Sequence, residues 1–326
     1  MDTILITCIG KRVQLVRHFA DAGYRVIGTD SNPAMAPASH FVHRVYPVPK
    51  VNDPAYIPTL LDIAAQEKIG FVIPLFEPEL RPLCQHIDSF RNIGAEVIVS
   101  GDKALQICLD KYLLYSLFRD NGITTPDTFV PESLKPHDSH HKWVVKPRSG
   151  MGSRDVHILN NGQDALAVSR DVPSSIIQQY IDGTEYTIDA FVDRHGTTRS
   201  IVPRERLEVR AGEVSKSVTN RDAAIMEAAQ AVLRLLPFYG PITIQGIKET
   251  RSGKFYFTEI NPRFGGGVPL SIEAGVSYAN LIRETGTKEK GLVPFRDGLL
   301  MLRYEEAVFV NGKQIHNLNQ EKEGRE

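Results

Sequence analysis

The chain has 326 residues, with 38 Lys and Arg against 39 Asp and Glu, and a formal net charge of −1. Hydrophobic residues make up 42% and charged residues 24%, which is typical of folded globular proteins and not of disordered, collagen-like or coiled-coil chains. The near-zero charge argues against binding to nucleic acid or an anionic membrane through bulk electrostatics. The length exceeds one typical core of ~100–200 residues, so two or three domains or lobes are expected.

Cysteine use and the short apolar runs predict a soluble, cytoplasmic protein. The cysteines Cys8, Cys84 and Cys108 are widely separated and form no CxxC pair, which indicates neither a disulfide framework nor a zinc site. The longest apolar stretches, such as Phe71–Phe76, are far shorter than the ~18 residues of a membrane span, and no secretion signal is present at the start. No membrane contact is therefore expected.

Strands and helices alternate over residues 1–100. The predicted elements are a strand at Thr3–Ile9, a helix at Val13–Ala22, a strand at Tyr24–Thr29, a helix at Pro54–Glu67, a strand at Phe71–Leu75, a helix at Glu79–Phe90 and a strand at Glu96–Ser100. This order predicts a parallel, doubly wound α/β lobe. Its first turn has one glycine, Gly10, where the dinucleotide fingerprint needs three, so NAD binding is disfavoured although Asp30 ends the second strand.

A connecting region begins near residue 101. Asp102–Asn121 is predicted to be one leucine-rich helix with Lys111 near its middle, and three prolines then mark an irregular connection. The polar patch of His137, His140 and His141 has a spacing that a metal ion could use. A solvated loop is the favoured interpretation, because no cysteine or acidic triad accompanies these histidines.

The first motif that carries chemistry is Lys146 with the glycine-rich turn after it. The predicted strand Trp143–Pro147 delivers the lysine, and Gly150–Ser153 follows within a few residues. Glycines allow backbone N–H groups to approach an anion closely, and a lysine supplies charge to the same oxygens. A plain hairpin turn with a surface lysine explains the motif equally well. A Walker loop is excluded, because its Gly-x4-Gly-Lys-Ser/Thr pattern does not occur.

Two further motifs combine strands with polar groups. In the first, an apolar strand reaches Ile181, and the chain turns at Asp182-Gly183 and continues as a strand past Glu185. The strand edge could face a purine, and Glu185 could accept hydrogen bonds from a ribose. An ordinary hairpin is the simpler interpretation. In the second, Glu259 and Asn261 are two apart on a predicted strand, so both side chains point to one face. Hard oxygen ligands on one face suit Mg²⁺, and Gln245 on the preceding strand offers another.

The ordered set of these motifs, ending in Glu259-Ile260-Asn261-Pro262-Arg263, resembles the ATP-grasp superfamily, most of all the branch of the carbamoyl phosphate synthase large subunit. The resemblance implies an N-terminal βαβ, Rossmann-like pre-ATP-grasp domain at residues 1–100. It further implies an ATP-grasp fold of two α+β lobes. These would be a linker helix and small lobe with a glycine-rich flap at 101–175, and a large lobe with the metal and phosphate site at 176–326.

The resemblance also implies roles for individual residues. ATP would be bound by Lys111, Lys146, Gly150, Gly152, Ser153, Gln178, Gln179, Tyr180, Ile181 and Glu185. Mg²⁺ or Mn²⁺ would be held by Gln245, Glu259 and Asn261. The reacting groups would be steadied by Arg263, Lys146, Arg210 and Lys216. The second substrate is expected near the carboxyl ends of the first-lobe strands, at Gly10–Arg12, Asp30, Glu77 and Glu79. Gly265–Gly267 would let the backbone approach that substrate.

The implied activity is that of an ATP-dependent carboxylate–amine ligase acting through an acyl phosphate on small-molecule carboxylate and amine substrates. A first alternative is a carbamoyl-phosphate-synthase-like subunit that works with a partner chain. A second is a non-catalytic, ATP-binding regulatory protein, which the retained lysines and acidic residue disfavour. Carbamoyl phosphate synthases carry two ATP-grasp halves, and this chain has room for one. The oligomeric state stays open, a homodimer included.

Overall fold

The computed structural model describes residues 2–134, 142–150, 152, 155–210, 212–284 and 291–312. The chain divides into two compact units, Met1–Val99 with Arg303–Glu326, and Ser100–Leu302. Within the described ranges, no helix is both long enough and apolar enough to cross a membrane. The predicted histidine patch at 137–141 and Ser153 of the predicted flap lie outside the described residues.

The first unit is a parallel sheet flanked by helices. Its strands are β1 Thr3–Thr7, β2 Arg25–Asp30, β3 Arg44–Pro47, β4 Phe71–Pro74 and β5 Glu96–Val97, in the spatial order β3-β2-β1-β4-β5. Its helices are α1 Val13–Asp21, α2 Tyr56–Gln66, α3 Leu80–Gln85 and α4 Ile87–Asn92. The predicted parallel, doubly wound lobe is confirmed. The single helix predicted at Glu79–Phe90 is wrong, because the chain leaves helical geometry at His86.

Helices α5 Asp102–Cys108 and α6 Lys111–Asp120 open the second unit. The sequence predicts one helix here, which is wrong, because Asp110 takes an extended conformation and caps α6. Its carboxylate accepts hydrogen bonds from the backbone N–H groups of Tyr112 and Leu113. Such capping satisfies donors that a helix start otherwise leaves unpaired. The break places Lys111 at the first position of a helix instead of in the middle of one.

A four-stranded antiparallel sheet follows. Its strands are β6 Thr128–Phe129, β7 Trp143–Pro147, β8 His157–Leu159 and β9 Ser175–Gln179, in the order β6-β9-β7-β8. Helix α7 Gly162–Ser169 packs on it, and Trp143, Val145 and Ile177 form the buried core of this layer. The lobe boundary expected at residue 175 stays a prediction, and β9 begins at that residue.

The largest sheet has six antiparallel strands. They are β10 Gly183–Val192, β11 Thr198–Arg210, β12 Glu213–Thr219, β13 Gly240–Glu249, β14 Phe255–Asn261 and β15 Leu300–Leu302, in the order β14-β13-β10-β11-β12-β15. The remaining helices are α8 Ala223–Leu233, α9 Val268–Glu273 and α10 Tyr278–Arg283. One face of this sheet, with Ile188, Ile244 and Ile260, joins α5, α6 and α8 in a hydrophobic core. Because side chains alternate along a strand, the opposite face carries the intervening residues, many of them polar.

Candidate active site

The polar face of the six-stranded sheet brings the predicted metal ligands together. Gln245 of β13 lies directly opposite Glu259 of β14, and Thr243 lies opposite Asn261. Directly paired residues of antiparallel strands project to the same face. A bulge between Gln245 and Gly246 shifts the register immediately beside the pair, a device that re-aims side chains near functional sites. Glu259 and Asn261 therefore share a face as predicted, and Gln245 joins them.

Two lysines approach the same carboxylate. Lys111 Nζ lies 3.9 Å from Glu259 Oε1 and donates to the carbonyl of Gly150 at 3.2 Å. Lys146 Nζ donates to Gln178 Oε1 at 2.8 Å. Burial lowers the pKa of Lys146 to about 8; the positive charge of Lys111 adds to this shift and Glu259 opposes it. The positive charges of Lys111 and Lys146 repel each other, and an anion bound beside both would relieve that repulsion.

The glycines of the predicted flap have the conformations that only glycine adopts readily. Gly150 has φ +128° and Gly152 has φ +74°, and among the described residues beyond the chain neighbours no atom lies within 4 Å of where a Cβ would stand. A Cβ on Gly212, in the β11–β12 turn, would meet the carbonyl oxygen of Gly152 at 3.4 Å. Arg148 fixes the start of this segment, since it forms an ion pair with Asp110 at 2.7 Å. The segment is therefore anchored at its start.

The predicted adenine-binding segment has most of its polar groups already paired. Gln178 is buried, and its side chain bridges Lys146 and Thr128 Oγ1, to which its Nε2 donates at 2.8 Å. The N–H of Gln179 donates to the carbonyl of Asp127, and the N–H of Tyr180 donates to that of Lys142. Gln178 is thus used to orient the lysine. Ile181 is buried at the end of this segment.

Arg206 is a cation of this site that sequence reasoning missed. Its Nη1 lies 3.3 Å from Glu185 Oε2, the predicted ribose ligand, and 3.4 Å from Gln245 Oε1. Its Nε is buried and has no hydrogen-bond partner among the described residues. Burial lowers the pKa of Arg206, and Glu185 opposes that shift. The alternation of Arg204 and Arg206 along one strand is the signal that could have revealed it.

Arg263 follows the end of β14 and does not continue the strand. Its N–H donates to the carbonyl of Asn261 at 2.8 Å, and its Nη1 donates to the carbonyl of Phe264 at 3.2 Å. Arg210 and Lys216 instead pair with Glu208 near the β11–β12 turn, each at 2.7 Å. Arg210 is largely exposed. Of Arg210, Lys216 and Arg263, only Arg263 lies beside the predicted metal ligands.

The glycines after Arg263 cover a buried polar network. A Cβ on Gly267 would stand 2.5 Å from Arg204 Nη1, and one on Gly265 would stand 2.9 Å from Thr243 Oγ1. Arg204 is buried and forms an ion pair with Asp189, with Nε and Oδ2 2.8 Å apart. Ser271 donates to the same carboxylate. These glycines are therefore required by the side chains beneath them, a reason that the sequence does not reveal.

The residues present fit a magnesium–nucleotide complex. Gln245, Glu259 and Asn261 offer three hard oxygen donors, of which one carries charge. Mg²⁺ keeps several waters and shares phosphate oxygens, so few protein carboxylates are needed when phosphates supply the rest. Over the described parts of the chain, no group of three or more His, Cys, Asp and Glu side chains is arranged to hold a metal ion by itself. The donor set therefore favours a metal that arrives with phosphates.

The fold and this site define an ATP-grasp protein. The protein-family model of the PylC-like N-terminal domain matches residues 4–98, and the protein-family model of the ATP-grasp domain matches residues 108–267. The chain therefore contains an ATP-grasp domain, which the sequence motifs predict, preceded by a PylC-like N-terminal domain.

Individual relatives are distant. A D-alanine–D-alanine ligase of Petrotoga mobilis is 23% identical over 214 residues, which is 58% of this chain and 70% of the relative. The arginine-specific carbamoyl phosphate synthase large chain of Bacillus subtilis is 21% identical over 271 residues, 77% of this chain but 25% of the relative. The crystal structure of N5-carboxyaminoimidazole synthetase from Staphylococcus aureus complexed with ADP aligns with a TM-score of 0.71 and 18% identity, covering 99% of this chain and 86% of that one.

Proposed function

We propose that this protein is an ATP-dependent ligase that activates a carboxylate as an acyl phosphate for attack by an amine. The observation that carries the proposal is the convergence of Lys111, Lys146 and the Glu259–Gln245 pair on one face of the large sheet. Two cations beside one carboxylate match a triphosphate and its metal ion. A D-alanine–D-alanine ligase is among the relatives, and its name describes the joining of one amino acid to another, which supports the reaction class.

The chain's own residues perform positioning and charge neutralisation. Lys146, held by Gln178, and Lys111 would contact phosphate oxygens, and the Gly150–Gly152 segment would cover them. Arg263 would neutralise charge on the carboxylate as it receives the phosphoryl group. The amine nitrogen then attacks the carbonyl carbon, phosphate leaves, and the nitrogen loses a proton to solvent. None of these steps needs a nucleophilic side chain.

Metal and nucleotide contacts follow the same assignment. Gln245, Glu259 and Asn261 would hold Mg²⁺, which when bound supplies positive charge to the phosphates. Gln179, Tyr180 and Ile181 would border the adenine, and Glu185, held in place by Arg206, would accept from the ribose hydroxyls. Arg210 and Lys216 are proposed as outer contacts. An enzyme that consumes ATP is expected in the cytoplasm, with its cysteines reduced, and a homodimer is compatible with this assignment.

A second candidate function is the formation of carboxy or carbamoyl phosphate with a partner chain. Gln245 and the match to the carbamoyl phosphate synthase large chain favour it. This chain covers only a quarter of that relative, so the remaining activities would have to come from elsewhere. The two candidates differ in one measurement: ADP release with bicarbonate alone supports the second, whereas ADP release that requires an amine supports the first.

The decisive experiment combines nucleotide binding with turnover. Calorimetry should show Mg·ADP binding, and a screen of carboxylates crossed with amines should release ADP. Glu259→Ala should reduce ADP release at least a hundredfold, because it removes the one charged metal ligand. The matched control is Glu273→Ala, an exposed glutamate on α9, which should behave as the parent protein. Parent-like turnover by Glu259→Ala contradicts the metal assignment, and absence of Mg·ADP binding contradicts the ligase.

A further inference from the structure

The first unit contains a cavity of about 700 Å³, and every residue that lines it belongs to that unit. It lies beyond the carboxyl ends of β1, β2 and β4, where Cys8, Asp30 and Phe76 line it. In the strand order β3-β2-β1-β4-β5, β2 and β3 are added on one side of β1, and β4 and β5 are added on the other side. The order of the strands therefore reverses between β1 and β4. Open α/β sheets bind ligands at this switch point. The volume falls in the ~300–1,000 Å³ range of sites for drug-sized molecules.

A buried carboxylate holds one wall of the cavity in place. Glu79 is fully buried, and its Oε1 accepts from the N–H groups of Leu75 at 2.9 Å and Phe76 at 2.8 Å. Its Oε2 accepts from the Tyr56 hydroxyl at 2.5 Å and from the Cys8 thiol at 3.7 Å. Glu79 therefore fixes the chain at the ends of β1 and β4. Burial raises the pKa of Cys8, so the thiol presented to the cavity is uncharged.

Asp30 gives the cavity a fixed hydrogen-bond acceptor. Its Oδ2 accepts from the N–H of Gly10 at 3.0 Å, and its Oδ1 accepts from the N–H of Asn32 at 2.9 Å. Each carboxylate oxygen has a second lone pair, so both can still accept from a ligand. An acidic residue held at the end of the second strand of a doubly wound sheet is placed to accept from vicinal ribose hydroxyls.

Apart from Cys8 and Asp30, most of the lining side chains are apolar, and the polar ones are Ser31, Lys50 and Asn52. Val48, Phe76, Pro78 and Pro82 line the cavity together with Tyr56, and prolines and aromatic rings offer flat surfaces for a planar heterocycle. One small amino acid would leave most of this volume unfilled. The first turn has a single glycine, Gly10, and so lacks the three-glycine cradle for a pyrophosphate. These features favour a base and a sugar and disfavour a dinucleotide.

We infer that this cavity binds a ribonucleoside, with the base among the apolar side chains and the ribose hydroxyls donating to Asp30. This site is separate from the nucleotide site proposed on the large sheet, because every lining residue belongs to the first unit. The protein would then bind two nucleoside-containing molecules, only one of them dependent on Mg²⁺.

The test uses the full chain with its Mg²⁺-dependent site saturated by Mg·AMP-PNP. Adenosine, guanosine and uridine are then titrated by calorimetry, each together with its 2′,3′-dideoxy form, which lacks both hydroxyls. At least one ribonucleoside should bind with a stoichiometry near one. Asp30→Asn should weaken that binding at least tenfold, whereas Asp62→Asn, an exposed aspartate on α2, should not. The dideoxy form of that ribonucleoside should bind at least tenfold more weakly than the ribonucleoside itself.

Three results overturn the inference: no ribonucleoside binds, the dideoxy form binds as well as the ribonucleoside it is derived from, or the two aspartate variants bind alike. Thermal melting of both variants checks the fold, and Pro82→Ala provides a second perturbation that spares the Asp30 hydrogen bonds. If Mg·AMP-PNP itself fails to bind, the ligase proposal fails. The nucleoside titration can still be read, because the comparison of Asp30→Asn with Asp62→Asn does not depend on the large-sheet site.

Discussion

Replacing Lys146 by methionine is expected to stabilise the nucleotide-free protein while it removes nucleotide binding. Burial lowers the pKa of Lys146 from 10.5 to about 8, so at pH 7 the folded protein holds a charged group in an unfavourable position. One pKa unit corresponds to about 1.4 kcal/mol, so this shift amounts to roughly 3 kcal/mol. Loss of the hydrogen bond to Gln178 costs about 1 kcal/mol. The net expected gain at pH 7 is about 2 kcal/mol.

The sign of the pH dependence follows from linkage. Between pH 8 and 10.5 the unfolded chain holds a proton on Lys146 that the folded protein has released, so the parent protein gains stability as pH rises through this window. Below pH 8 Lys146 is protonated in both the folded and the unfolded state, so its burial lowers the stability of the folded protein by the full amount. The advantage of Lys146→Met should therefore be largest at pH 7 and almost absent at pH 10.

The assay is thermal and urea unfolding of parent and variant without nucleotide, at pH 7 and pH 10, with Mg·ADP binding measured by calorimetry. Lys103→Met, an exposed lysine on α5, is the matched control and should change neither stability nor binding. The reasoning is refuted if Lys146→Met is less stable than the parent at pH 7, or if its stability advantage does not shrink at pH 10. Stability gained at the expense of binding is a common trade-off at functional sites.

Two further changes test other parts of the site. Arg206→Gln removes the cation between Glu185 and Gln245, and it should raise the KM for ATP about tenfold with little change in melting temperature. The control Arg234→Gln changes an exposed arginine and should match the parent protein. An unchanged KM in Arg206→Gln would argue against a role of Arg206 in ATP binding. Gly267→Ala should lower the free energy of unfolding by about 1–3 kcal/mol, because its Cβ would stand 2.5 Å from Arg204 Nη1. At Gly101→Ala the nearest atom is 3.8 Å away, so a loss equal to that at Gly267 would contradict the packing argument.

The sequence by itself determined the architecture of the first unit and the strands that carry the candidate site. Alternation of short apolar runs with helical spacing was enough to predict a parallel sheet, because each pattern reflects which side chains a local element buries. The two-residue spacing of Glu259 and Asn261 likewise fixed their common face without any knowledge of the partner strand. The break before α6 could also have been anticipated, since Asp110 is a favourable N-cap residue.

Only the tertiary structure decided which distant residues meet. The pairing of Gln245 with Glu259 depends on strand register and on the bulge beside it. The approach of Lys111 and Lys146 to Glu259 depends on packing between elements far apart in the chain. Arg206 enters the site because β11 is the neighbour of β10. Local patterns specify the face and period of an element but not its neighbour, because the contacts that select the neighbour are long-range and exist only once the chain has folded.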